Sequence, residues 1–404
     1  MAYAEGLVKI KLPAGVFMNP PQIFNRDLSV LAISTFSRRR WGKPPLLTYS
    51  ATPSTELSPP TPLRILEGLS ASGIRAIRYA KEIRPPIAHI TANDISLPAV
   101  ELMQDNFAAN EVTNCTIENK DAVELMYSGR REGWDVVDID PYGSAAEFLD
   151  AAVQATRNFG LLCVTSTDMA TLCGTHADTC FYKYGGVPSD SKHCHESAVR
   201  LLLHALQQSA NRYQRVIVPM MSISVDFYIR VFVQIVNFPK KAKDSIMTTG
   251  LILQCQTCPA YYVQSFGRPG KGKNLPGTFD APSECAECGG KLIIEGPTYL
   301  GPMHHKDFLD HMLRNLPEFG LHTKDRIEGL LHQLKEELDI PLIYDLSQVC
   351  QFIKCSPPPQ QQIRSAIRSL NYRVSQAHTK PLHYKTDAPA SVLFDILKVW
   401  VRST

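Results

Sequence analysis

The stretch RILEGLSASGIRAIRYAKEI, Arg64 to Ile83, decides the reading of the fold. A short apolar run ends in an acid, Glu67, a tight loop of small residues follows, and apolar residues then recur at three and four from Ile74. That order is strand, turn and crossover helix, the unit from which parallel sheets are built. It repeats downstream. The strand candidates IAHITAN, CTIENK, WDVVDID, GLLCVTST and RVIVPMMSIS are interleaved with the helical segments PAVELMQDNFAAN and EFLDAAVQATRNFG. Residues 64 to 236 are therefore expected to form an α/β domain on a mostly parallel sheet. The last candidate, YIRVFVQIV, has no helix-length connection before it and can join the sheet antiparallel through a short loop.

The 404 residues, 44% of them hydrophobic, suffice for one full core and for two or three domains. No run approaches the roughly 18 apolar residues of a membrane span, and MAYAEGLVKIKLP lacks a secretory core, so an intracellular protein is expected. Eleven cysteines, four of them in two C-x-x-C pairs, favour reduced thiols with a metal over a disulfide framework. A net charge of +3 does not by itself call for a polyanionic partner. Residues 43 to 63, rich in Pro, Ser and Thr, suit an exposed insertion, and FPKKAKDS (238 to 245) closes the sheet region. After a loop-rich unit at 251 to 300, the chain is helical to about Leu338. It then runs helix, Pro-rich turn, helix (QQQIRSAIRSL), strand (YRVSQAH), strand (LHYKT) and helix (SVLFDILKVW), an order similar to a winged helix.

Three successive strand ends carry acids or small loops suited to a nucleotide. In LEGLSASGIR the small side chains let a ligand lie against the backbone, and the helix start offers N–H groups to its carboxylate or phosphate. With only Gly68 and Gly73, this is neither the dinucleotide fingerprint nor a P-loop, and an ordinary strand-to-helix turn stays open. Asp94, in TANDIS, can accept both ribose hydroxyls, and Asp121, in NKDAVEL, can receive the adenine amino group. Each can equally cap the helix that follows it. Three such positions together point to a ligand at the carboxyl edge of the sheet.

WDVVDIDPYGS, Trp134 to Ser144, runs from a buried strand straight into Asp140, Pro141 and Tyr142. Asp-Pro-Tyr resembles the Asp/Asn-Pro-Pro-Tyr/Phe loop of S-adenosylmethionine-dependent enzymes that methylate exocyclic amino nitrogens. Such a nitrogen is conjugated with its ring and is a poor nucleophile until acceptors hold its N–H groups and aim its lone pair. A carboxylate serves that need while an aromatic ring stacks on the base; a plain strand-ending turn uses the same residue types.

With VFMNP (16 to 20), FNRD (24 to 27), LSASGIRAIRYA (69 to 80), NDIS (93 to 96), DIDPYGS (138 to 144), TSTDMATLCG (165 to 174), CHE (194 to 196) and KTDAP (385 to 389), the sequence resembles the tRNA (guanine-26-N2)-dimethyltransferase family over nearly its whole length. The resemblance implies a Rossmann-like S-adenosylmethionine-dependent methyltransferase sheet in residues 1 to 246. It implies a C-terminal α+β, tRNA-binding domain in 247 to 404, holding the four-cysteine unit (251 to 300) and the winged-helix-like end (340 to 404). It further implies that Arg26, Arg75, Asp94, Asp121 and Ala122 hold the cofactor. By the same resemblance Asp140 is catalytic with Pro141 and Tyr142, Phe17 and Tyr142 are aromatics beside the substrate base, and the compartment is the nucleus or mitochondrion in a eukaryote and otherwise the cytoplasm. Read from the residues alone, Arg26 and Asp27 could instead cap and solvate the helix DLSVLAISTFS. Adjacent Cys194 and His195 in CHE face different sides of a helix, which argues against covalent catalysis, and Cys173, Cys180 and Cys194 read as buried small hydrophobes.

Cys255, Cys258, Cys285 and Cys288 have the ligand pattern of a closed, structural zinc site. Between Lys354 and Thr386 stand six Lys or Arg, interleaved with Tyr372, His378 and His383, and no acid. With SRRRWGK (37 to 43) and GRPGKGK (267 to 273) they could form a path for a folded RNA, although a basic run is ordinarily a solvated face. The activity expected is transfer of one and then two methyl groups from S-adenosylmethionine to N2 of guanine-26 in tRNA, with no membrane and no obligate protein partner. The rival readings are an amino methyltransferase acting on DNA or protein, and a non-catalytic RNA-binding module.

Overall fold

The computed structural model describes residues 2–13, 19–38, 62–85 and 87–403. Phe17, most of SRRRWGK and all but the last two residues of the 43 to 63 insertion lie outside the described residues. A hairpin, β1 (Ala2–Glu5) and β2 (Val8–Lys11), leads into helix α1 (Pro21–Ser37). The alternation read from the sequence follows: β3 (Arg64–Glu67), α2 (Ile74–Glu82), β4 (His89–Asn93), α3 (Leu97–Ala109), β5 (Cys115–Glu118), α4 (Ala122–Gly129), β6 (Trp134–Ile139), α5 (Leu149–Ala155) and β7 (Thr156–Ser166). Helices α6 (Met169–Leu172), α7 (Ala177–Tyr184) and α8 (Cys194–Arg212) precede the long pair β8 (Arg215–Val225) and β9 (Tyr228–Asn237).

These strands form one seven-stranded sheet in the order β5-β4-β3-β6-β7-β9-β8. The first five run parallel, and β9, inserted between β7 and β8, is antiparallel to both. The antiparallel entry of YIRVFVQIV is as the short connection requires. The segment EFLDAAVQATRNFG departs from expectation, because the helix stops at Ala155 and TRNF belongs to β7. Its β-branched Thr156 pairs with Trp134, and Arg157 reaches Asp135 at 3.0 Å, so the chain gains sheet contacts by extending there.

Parallel strands need cover on both faces. One face is covered by α1, α2 and α3, the other by α4, α5 and α8, each with its own apolar core. Helix α1 is buried from Phe24 to Ser37, because it lies between the sheet and two later helices. Each of Leu28, Leu31 and Ile33, fully buried there, contributes about 1.5–3 kcal/mol of transfer free energy.

Beyond the sheet come α9 (Pro239–Ala242) and the cysteine-bearing unit of β10 (Thr249–Cys255), β11 (Tyr261–Ser265), β12 (Gly267–Pro269), β13 (Asn274–Pro276) and β14 (Leu292–Tyr299). The chain then returns to the first core, where α10 (Lys306–Asn315) and α11 (Lys324–Glu336) pack on α1. The end is β15 (Tyr344–Asp345), α12 (Leu346–Ile353), α13 (Gln360–Ser369), β16 (Val374–Gln376), β17 (His383–Thr386) and α14 (Ala390–Ser403), with sheet order β15-β17-β16. Two helices followed by a hairpin that takes a short strand onto its edge is the winged-helix arrangement.

A sheet edge leaves backbone N–H groups open. On edge strand β8, Ser222 N donates to His304 Nδ1 (3.4 Å) and Ser224 N to His378 Nε2 (3.1 Å). Behind them, Lys385 Nζ lies 3.0 Å from Glu196 of α8 and 3.2 Å from Glu337. A buried charge network thus ties the C-terminal end to the sheet, the kind of contact whose rupture leaves an uncompensated charge.

Candidate active site

The carboxyl edge of the sheet collects β3, β4, β5 and β6 and the loops that leave them. Gly73 starts α2 at φ +75°, and a side chain there would meet Phe107 Cε2 at 2.7 Å, so both backbone and space require glycine. A Cβ on Gly68 would strike Ile139 Cδ1 at 2.8 Å and stand 3.9 Å from Ala122 Cβ, which places Ala122 against the first loop. Asp94 accepts from Ala71 N at 2.8 Å and from Ser96 N at 2.9 Å. Asp121 caps α4, accepting from Val123 N (2.8 Å) and Glu124 N (3.1 Å). Asp121 thus does the capping work that sequence alone left open, whereas Asp94 joins the first loop to the segment ahead of α3, whose N-cap is Ser96; both acids remain at the strand ends.

The sequence reading passed over Asn93 and Ile95. Asn93 is buried and joins three strand ends, donating to the carbonyls of Gly68 and Lys120 (3.0 Å each) and accepting from Lys120 N at 3.1 Å. Ile95 is 66% exposed beside Asp94, an aliphatic surface available to a flat ring. Its signal was an apolar residue directly after a strand-ending acid.

Arg75 is the centre of the site. Buried, it donates to Asp140 Oδ2 through Nη2, to Asn25 Oδ1 (3.2 Å) and Ser29 Oγ (3.3 Å) through Nη1, and lies 3.5 Å from Glu67 and 3.7 Å from Asp138. Asp138, in the middle of an apolar strand, also accepts from Arg230 at 2.9 and 3.0 Å and from the Tyr79 hydroxyl. Burial opposes its charge, yet Arg230 and Arg75 hold its carboxyl below the usual range. Glu67 is pushed the other way, up to about 8, by burial that Arg75 only partly offsets and Asp138 reinforces. Near neutral pH an ionised Asp138 faces two guanidiniums, Arg75 and Arg230, and Glu67 keeps its proton.

Arg26 is elsewhere occupied. Its guanidinium holds Glu5 at 2.6 and 2.5 Å in a buried cluster with Arg78, Asp27 and Glu82. Its neighbour Asn25, not Arg26, touches Arg75.

The loop after β6 is fixed from behind. Gly143 N donates to Thr167 Oγ1 (2.7 Å), Thr167 N donates to Gly143 O (2.8 Å), and Ser144 Oγ meets Tyr184 Oη at 2.8 Å. Gly143 takes φ +85°, which turns the chain so that Pro141 is buried while Tyr142 stands fully exposed. An aromatic ring without cover on a rigid loop, two residues from a carboxylate, is suited to stack on a planar substrate. Among the described residues no hydrogen bond engages Asp140 Oδ1, which leaves that oxygen an open acceptor.

The four cysteines come together as expected. Cys255 and Cys288 sulfurs are 3.5 Å apart, as are Cys258 and Cys285, and all four lie within 4.8 Å. A tetrahedron of Zn–S bonds of about 2.3 Å needs sulfurs about 3.8 Å apart, so the set fits zinc. Thr257 N and Cys258 N donate to Cys255 Sγ (3.3 and 3.4 Å), as thiolate ligands require. A second group, His304, Glu337 and His378, fits a metal poorly. Each imidazole already accepts a backbone N–H on one nitrogen, and the other nitrogen of His378 is taken by Glu337 Oε2 at 2.8 Å.

The basic run at 354 to 386 is thinner than its sequence suggests. Lys385, His378 and His383 are turned inward, Lys385 and His378 onto Glu337 and His383 toward Thr379, while Lys380, Arg368 and Arg373 remain exposed. Arg268, Lys271 and Lys273 are exposed as well. Of the thiols, Cys180 is buried, but Cys173 and Cys194 are only half-buried. Glu196 of CHE is paired with Arg200 (2.8 Å) and Lys385, a structural role.

Strand order and the antiparallel β9 give the fold of an α/β methyltransferase. The sequence model described as N2,N2-dimethylguanosine tRNA methyltransferase matches residues 3–398. The chain belongs to that family. It is 42% identical to the tRNA (guanine(26)-N(2))-dimethyltransferase of Mus musculus, covering 98% of this chain and 67% of that protein. It is 38% identical to the Schizosaccharomyces pombe protein of the same name, covering 98% and 80%. The Saccharomyces cerevisiae relative, named as mitochondrial, is 34% identical over 98% of this chain and 78% of that protein. Trm1 from Pyrococcus horikoshii, solved in complex with S-adenosyl-L-methionine, superposes with a TM-score of 0.81 at 28% identity, covering 98% of this chain and 99% of that one.

Proposed function

We propose that this chain transfers one and then a second methyl group from S-adenosylmethionine to N2 of guanine-26 in tRNA. The observation that carries the reading is the pinned loop that presents a bare Tyr142 ring beside the open oxygen of Asp140. S-adenosylmethionine, when bound, supplies a methyl group activated by a sulfonium. Asp94 would take the ribose, Asp121 and Ala122 the adenine, with Ile95 against its face, and Arg75 would offer its positive charge to the carboxylate while it keeps Asp140. Arg26 would act through α1 while it stays bound to Glu5.

Asp140 Oδ1 and the Pro141 carbonyl would each accept one N2–H, which turns the nitrogen lone pair toward the adenosyl side. Asp140 then receives the proton that the amine gives up. Tyr142 would stack on the guanine, and by the family resemblance Phe17, outside the described residues, is the second aromatic beside the base. A base within folded tRNA has to leave its stack to reach this pocket. We take residues 1 to 246 as the catalytic part and 247 to 404 as the part that grips tRNA, with zinc in a structural role there. The exposed Arg268, Lys271, Lys273, Arg368 and Lys380 supply the phosphate contacts. A nuclear or mitochondrial compartment accords with the mitochondrial yeast relative. Among the described residues no helix is long and apolar enough to cross a membrane.

The test is incubation of purified protein with labelled S-adenosylmethionine and separate tRNA, DNA and protein pools, followed by nucleoside mass analysis. Label in tRNA as N2-methyl- and N2,N2-dimethylguanosine supports the reading. Label only in DNA or protein, or cofactor binding without transfer, contradicts it.

A further inference from the structure

Strand β9 brings one more polar group to this edge. Its register with β7 pairs Ser166 with Ile229 and Thr165 with Arg230, so the first residues of β9 lie at the rim where β6 turns into Asp140. Side chains alternate along a strand. Ile229, Val231, Val233 and Ile235 face the core beneath α5 and α8. Arg230 points the other way, toward α1, donating to Ser29 Oγ at 2.8 Å and to Asp138. Tyr228 shares that face and stands one pleat nearer the rim.

Tyr228 is 2% exposed, and among the described residues its hydroxyl has no hydrogen-bond partner. Leaving a buried hydroxyl unpaired costs about 1–3 kcal/mol, so an unpaired one at a ligand site calls for a reason. Burial pushes the phenol well above its ordinary range, and the charges that reach it are Arg230, Asp140, Asp226 and Arg326. The group is therefore a neutral O–H at physiological pH. The hairpin tip that carries it is braced, since Arg326 binds Asp226 at 2.8 Å and lies over the Phe24 ring at 4.3 Å.

Guanine offers its amine, N1–H and the O6 acceptor along one edge. With the amine on Asp140, the group left to complement a neutral donor on that edge is O6. We propose that Tyr228 Oη donates a hydrogen bond to O6 of the target guanine, so that Tyr228 is a substrate-binding residue that sets the angle of the base. This rests on the function proposed above and adds to it a residue that neither the motif nor the strand ends disclosed.

The test is a cycle of Tyr228→Phe against tRNA carrying 2-aminopurine, which keeps the N2 amine and lacks O6, at position 26. The wild-type protein is expected to lose about tenfold in kcat/KM on the analogue, as a neutral hydrogen bond warrants. Tyr228→Phe is expected to lose about tenfold on guanine and nothing further on the analogue, with unchanged S-adenosylmethionine affinity by calorimetry. Its Tm should match or exceed the wild type, because the hydroxyl removed makes no bond within the protein. Equal rates of variant and wild type on guanine would overturn the proposal. So would an analogue penalty that persists undiminished in the variant, weakened cofactor binding, or a lowered Tm. A wild-type protein that leaves guanine-26 unmethylated would instead overturn the proposed function and this inference with it.

Discussion

Arg75 donates through Nη2 to Oδ2 of Asp140, and so joins the group proposed to hold the cofactor to the group proposed to hold the amine. One guanidinium then serves two purposes. It lies against Asp138 and Asp140 at the end of β6, and it holds one oxygen of Asp140 while the other has no hydrogen bond among the described residues. The arrangement depends on burial, because in a low-dielectric site the position of a single charge decides which neighbours ionise.

Replacing Arg75 with Met removes the cation from between Glu67, Asp138 and Asp140. Breaking a buried pair on one side typically costs about 3–5 kcal/mol. The expected result is a clear fall in Tm together with at least tenfold weaker S-adenosylmethionine binding by calorimetry. Retention of both would show that the charge is not needed at either place.

Glu67 gives a pH prediction. Its carboxyl is raised to about 8 by burial from the ordinary 4.5, so the folded state holds a proton that the unfolded chain releases. That contribution to stability is fully present below about pH 4.5 and is lost as pH rises through 8. Glu67→Gln cannot lose the proton. The variant's Tm relative to wild type is expected to rise steadily between pH 6 and pH 9, measured in matched buffers. A constant difference across that range would mean that Glu67 is already ionised.

The four-cysteine set predicts one zinc per chain, detectable by elemental analysis. Cys288→Ser, or a strong chelator, should release it and lower the melting temperature of the β10–β14 unit, because metal binding to a structural site is folding free energy. The sheet should stay folded, since its two cores lie apart from the cysteine-lined core. A protein whose unfolding is the same with and without chelator would remove zinc from the account.

Much of this was legible in the sequence because local periodicity and strand-end chemistry coincide in an α/β fold. Leu66, Ile90, Val137 and Val164 are fully buried strand residues as their runs imply, and the two C-x-x-C pairs meet. What stayed hidden depends on distant partners. Nothing local marks Lys385 and His378 as buried, since the acid that draws them in, Glu337, lies on a different element. Arg26 likewise has its carboxylate from Glu5, in the first hairpin. Tyr228 sits in a run that reads as plain strand, and only the register with β7 brings it to the rim.

The central claim is that the oxygen of Asp140 left free by Arg75 aims the guanine amine. Asp140→Ala tests it most directly, with tRNA binding measured by filter retention and methylated guanosine by nucleoside mass analysis of the same reactions. The account predicts tRNA affinity within about twofold of wild type and methyl transfer reduced by at least 100-fold, in the range for removal of a positioned general base. Near-normal yields of N2,N2-dimethylguanosine from the variant would contradict it.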